Sequence, residues 1–77
     1  RKTMILARQD FEHEGRLYSA ELRIVGFPLS AGRGESMRWV VFNDALTQHW
    51  TLPGEGMLSD SAADVKLRFG DHLARSA

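Results

Sequence analysis

The residues of this chain best suited to chemistry are aromatics and cations interleaved over a short span: Arg38, Trp39, Phe42, His49 and Trp50. Tryptophan and arginine together are the side chains on which protein interfaces concentrate their binding energy. Aromatic rings beside guanidinium groups also stack nucleobases in single-strand binders. A third reading places both tryptophans inside, since a small domain needs its largest apolar side chains in the core. The five residues are therefore the candidate binding set, for a protein partner first and for nucleic acid as the alternative.

Other constellations carry less. His13, His49 and His72 form no HxH, HxxxH or HExxH pair, so no metal site is expected from spacing. His13 lies between Glu12 and Glu14, which reads as a solvated turn. None of Ser19, Ser30, Ser36, Ser59, Ser61 and Ser76 occupies a G-x-S-x-G elbow. Gly32-Arg33-Gly34 matches neither phosphate-binding glycine motif and precedes a strand-like run, where those motifs open a helix. No catalytic residue, cofactor or metal is expected, and the chain reads as a non-enzymatic module.

The chain has 77 residues, room for one domain spanning 1–77. At this size only about 60% of the unfolded surface is hidden on folding, and no cysteine is present to add a staple. Self-association is one way to bury more apolar surface. Ten Lys and Arg balance ten Asp and Glu, and a phosphate-dominated nucleic-acid binder normally has a basic excess. That balance ranks protein contacts or self-association above a nucleic-acid accessory domain using Arg16, Arg23, Arg33 and Arg38. No stretch approaches the roughly 20 apolar residues of a membrane span, and no secretory h-region opens the chain. The lack of cysteine fits a reducing compartment, so the cytoplasm is the expected location. The chain opens Arg1-Lys2-Thr3-Met4, which fits either missing preceding residues or a foreign Arg1 to Thr3.

The elements that must position the candidate set follow from periodicity. In Arg16–Val25, Tyr18, Ala20, Leu22 and Ile24 alternate with Ser19, Glu21 and Arg23, the signature of a strand with one apolar face. The run Met4–Ala7 precedes it, and Glu12-His13-Glu14-Gly15 links the two as a hairpin, with Gly15 at positive φ. Proline at 28 predicts the end of the second strand. Residues 28–36, polar and glycine-rich, read as a flexible surface loop. Met37–Phe42 is apolar on both faces, with Met37, Trp39 and Val41 on one and Val40 and Phe42 on the other.

Asn43-Asp44-Ala45 is turn chemistry, and Leu46–Leu52 reads as a strand with Leu46, Trp50 and Leu52 on one face, or as a short capped helix. Residues 61 to about 75 read as a helix opened by a Ser61–Asp64 capping box, with Val65, Phe69 and Leu73 inward. The competing strand over 62–70 would bury Leu67. The expected class is α+β: an antiparallel sheet of three or four strands, ordered ββ-loop-ββ, with one C-terminal helix on a face. The expected core joins Leu6, Tyr18, Leu22, Ile24, Trp39, Val41, Val65, Phe69 and Leu73.

Overall fold

A computed structural model describes residues 4–29 and 32–76. Four strands follow one another, β1 (Ile5–His13), β2 (Arg16–Leu29), β3 (Gly32–Asn43) and β4 (His49–Thr51), and then one helix, α1 (Ala62–Ser76). The strands form a single antiparallel meander in the order β1-β2-β3-β4. This is the α+β arrangement that the alternation predicts.

Glu14 and Gly15 make the β1–β2 turn, both at positive φ (52° and 81°). Two successive left-handed residues give the turn whose twist matches a hairpin. Near the other end of the pair, Ile5 faces Arg23 while Ala7 faces Leu22, so Leu6 is an extra residue and the ladder bulges. Leu6 and Ala7 both pack against the core as a result.

The segment expected as a loop over 28–36 is mostly strand. β2 runs through Pro28 to Leu29, β3 begins at Gly32, and the register continues to Leu29↔Gly32. Pairing with β1 stops at Arg23, so Pro28 sits where β2 has one strand neighbour, and proline is tolerated at such positions. The sequence over 28–36 is polar and glycine-rich and lacks the alternation of a half-buried strand, which is why it mimics a loop.

Between β3 and β4 the expected strand over 46–52 shrinks to His49–Thr51. The side chain of Asn43 governs the turn: its Oδ1 accepts from the backbone N–H of Thr47 (3.0 Å) and Gln48 (2.8 Å). Leu46 sits at φ 58° and is 73% exposed, so it leaves the face that Trp50 and Leu52 share.

The capping box forms as expected. The Ser61 N–H donates to Asp64 Oδ2 (2.8 Å) and the Asp64 N–H donates to Ser61 Oγ (3.1 Å). Val65 and Phe69 are buried, Leu73 packs against the core, and Leu67 is 67% exposed, which settles helix over strand. Gly70 lies inside the helix despite a propensity cost of about 1 kcal/mol. A Cβ there would stand 3.3 Å from His13 Nε2, so glycine lets the His13 ring approach the helix and meet Phe69 edge-on at 5.5 Å.

The buried cluster is Phe11, Ala20, Leu22, Trp39, Val41, Leu52, Val65 and Phe69. Ile24 is a correction: at 41% exposure it lies past the last β1–β2 pair, beyond the reach of the core. Phe11, Ala20 and Leu52 join the expected core: Phe11 lies near a charged turn, Ala20 is the small residue of the apolar face already read on β2, and Leu52 lies in a segment that reads as strand or helix. Leu52 is held by its N–H donating to the Trp39 carbonyl (2.8 Å), and the Gly56 N–H donates to the Met37 carbonyl (2.7 Å). The segment after β4 thus continues along the edge of β3.

Gly56 packs so closely that an added Cβ would stand 2.5 Å from Leu22 Cδ1 and 2.8 Å from Trp39 Cδ1. Both neighbours are fully buried and have no free volume to retreat into. Gly56→Ala is expected to lower stability by about 1–3 kcal/mol, read as a urea midpoint shift, and an unchanged midpoint would disprove the close packing. Leu67→Lys should leave that midpoint nearly unmoved, whereas Leu73→Lys should lower it clearly.

The Asp64 carboxyl is held below the ordinary aspartate value of 3.8, first by the Ser61 backbone N–H and then by the Ser61 hydroxyl. A depressed folded-state pKa contributes stability above the unfolded value and loses it as pH falls through the folded value. Asp64→Ala, which removes the carboxylate itself, should therefore lower the thermal midpoint at neutral pH, with the gap to the parent narrowing as pH falls below the ordinary aspartate value and the parent's carboxylate is protonated.

Candidate interaction face

The sheet divides the five candidate residues between its two sides. Trp39 projects into the core and is fully buried. Its indole Nε1–H donates to Asp60 Oδ2 at 2.7 Å, which satisfies the one polar atom the ring carries inward. The same carboxylate oxygen accepts from the Met57 N–H (2.9 Å) and lies 3.6 Å from Arg68 Nη1. Trp50 belongs to the same side: its ring meets Phe69 edge-on at 5.1 Å and Tyr18 at 6.1 Å. The two tryptophans therefore serve the core and its margin, and neither joins Phe42.

Arg38, Phe42 and His49 lie on the opposite side, the outer face, away from α1. Strand register places its residues in rows. Glu12 faces Leu17; Asp10, Ser19, Phe42 and His49 form the next row; Arg8, Glu21, Val40 and Thr51 the third; Arg23 faces Arg38 in the last. The Arg23 guanidinium sits 5.2 Å from the Phe42 ring centre, and His49 lies 5.9 Å from the same ring on its other flank. A cation over an aromatic face is attracted by the ring quadrupole. Arg23 Nε also donates to Glu21 Oε1 (2.9 Å), while Arg8 lies 4.0 Å from that carboxylate and donates to Ser19 Oγ (3.0 Å). Val40 is 5% exposed although it belongs to this outer side.

Toward the turns the face opens into a cavity of about 480 Å³ lined by Arg8, Asp10, Glu12, Leu17, Asp44 and Leu46 among others. Leu17 is 60% exposed, so two leucines stand in solvent beside three carboxylates. Neither leucine belonged to the expected site. Leu17 was detectable as an apolar residue in the polar register of its strand. Leu46 was not, because only the left-handed turn places it there.

The remaining candidates scatter. His13 packs among Phe69 and Tyr18, His49 lies on the outer face and His72 on α1. Among the described residues no group of three or more His, Asp or Glu side chains is placed to hold a metal ion. Arg33 sits in β3 opposite Pro28. Among the described residues no helix is long and apolar enough to cross a membrane. No protein-family model matches the chain, and no curated protein or solved structure matches it either.

Removing the acceptor of the buried indole tests the inner assignment. Asp60→Ala leaves the Trp39 N–H without its partner, at an expected cost of about 1–3 kcal/mol. Asp60→Asn retains an oxygen acceptor and should recover part of that loss. Equal midpoints for parent and Asp60→Ala in urea would place the indole in water.

Proposed function

We propose that this protein is a small non-enzymatic interaction module that docks on a protein surface through the outer face of its sheet. The observation that carries the reading is the grouping of Phe42, Arg23 and His49 with the exposed Leu17 on the side of the sheet opposite α1. A half-buried aromatic framed by a guanidinium and an imidazole, beside an exposed aliphatic, has the composition of an interface hot spot. Antiparallel sheets with one solvated face normally carry polar residues there, so the half-buried Phe42 and the exposed Leu17 on this side call for a partner.

Nucleic-acid binding ranks second. It would need several stacking platforms and unpaired cations. Trp39 and Trp50 lie on the other side of the sheet, and Arg8 and Arg23 both face Glu21. Phe42 and the smaller imidazole of His49 are the rings left for stacking among the five candidates.

The test compares the parent with Leu17→Glu and Phe42→Ser as immobilised baits, with thermal melts to verify folding. A protein retained by the parent and lost by both folded variants supports the reading. Retention unaffected by either change would overturn it. Salt-sensitive capture of a single-stranded oligonucleotide by the parent, lost in Phe42→Ser, would favour the nucleic-acid reading.

A further inference from the structure

Charge on the outer face separates along the strands. The end near the turns carries Glu12, Asp10 and Asp44 around Leu17 and Leu46. The other end carries Arg23 and Arg38 side by side in the row that Ile5 completes, with Arg8 one row away; Glu21 lies among these arginines and Glu55 borders them through its bond from Ser36 Oγ (2.8 Å). Val40 and Phe42 occupy the middle. A surface with an acidic end, an apolar centre and a basic end matches its own copy once that copy is reversed end for end. A two-fold axis performs that reversal, and two-fold contacts always join a patch to itself.

We propose that the outer face pairs with the same face of a second copy, about a two-fold axis running across the strands. The acidic turn end of each copy then lies over the arginine end of the other, and the Phe42 rows meet near the axis. This rests on the outer face being the contact surface, and adds which partner occupies it. The partner's arginines supply the charge that Asp10, Glu12 and Asp44 lack, and their aliphatic stems cover Leu17 and Leu46. A parallel stacking would set like charges against each other and is disfavoured.

Size sets the strength. Strands about 4.8 Å apart and a run of seven residues at about 3.4 Å each give a footprint of about 20 by 24 Å. Two such faces bury on the order of 1,000 Å², in the range of weak and transient complexes. Association is therefore expected at high micromolar concentration, and it weakens as salt screens the end-to-end attraction.

Sedimentation equilibrium from about 10 μM to about 1 mM, at low and high salt, reads the first part. The parent should move toward twice its monomer mass at low salt. Asp10→Lys combined with Glu12→Lys changes exposed residues on β1 and should weaken association at least tenfold. Orientation is read separately. The chain has no cysteine, so a nitroxide on Glu12→Cys, mixed with isotope-labelled parent, reports between copies without background. Broadening of the Arg23 and Arg38 amides is expected. Broadening centred on Leu17, or on α1, would overturn the proposed geometry. A parent that stays monomeric at 1 mM would overturn self-pairing altogether, while the capture experiment with Leu17→Glu and Phe42→Ser would still judge the docking face on its own.

Discussion

The hydrogen bond from the Trp39 indole to Asp60 is the constraint on which the rest of this structure leans. A ring that large fills the centre of a 77-residue domain, yet it brings an N–H into a space with no water. Only an acceptor delivered from outside the sheet makes that burial tolerable. Asp60 arrives on the segment after β4, and everything about that segment serves its arrival. Leu52 and Gly56 bind the edge of β3, Gln9 donates to the Asp60 carbonyl (3.0 Å), and Arg68 ties Pro53 and Glu55 to the helix. Gly56 lacks a side chain because the segment must lie directly on Trp39 and Leu22. The clasp also fixes where α1 begins, since Ser61 follows Asp60 immediately.

The two sides of the sheet consequently obey different rules. The inner side is packed by aromatic contacts that run from Phe11 through Tyr18 and Phe69 to Trp50. The outer side is organised by charge, with Glu21 shared between Arg8 and Arg23 and the latter stacked on Phe42. Ion pairs at such exposure contribute little stability, with typical values up to about 1 kcal/mol. Their value is in fixing the orientation of a mixed aromatic and cationic surface, which is what a docking face requires.

What the sequence revealed tracks how much of each element is buried. β2 was legible from Tyr18 to Leu22 because one of its faces is wet and the other is not. The helix was legible from its capping box and from Val65, Phe69 and Leu73, even though Leu67 suggested a strand. Ile24 was misjudged, since alternation continues past the point where β1 ends and the core with it. The ribbon within 28–36 reads as a loop, because its polar, glycine-rich composition carries no alternation. The candidate site was half legible. Residue types pointed to Arg38, Phe42 and His49, and alternation already set Trp39 on the face opposite Phe42, whereas the side taken by Trp50 follows from its pairing with Val41, which spacing alone does not give. Asp60 gave no signal, because its role depends on a contact across the fold.

A meander has a consequence for how the chain reaches this state. Each strand pairs with its neighbour in sequence, so the ladders close over short loops at small entropic cost. The expensive closures are those that bring in the C-terminal part of the chain: Asp60, 21 residues from Trp39 and 51 from Gln9, and Phe69 against Phe11 of β1. A chain with its ladders formed but the Asp60 segment and the helix still absent would leave Trp39 and the rest of the inner face open to water. Such a species is penalised from both directions: it has spent the entropy of ordering the sheet and has not gained the burial that the clasp completes. Sheet and helix are thereby bound into one cooperative transition, although the strands alone are arranged for stepwise assembly.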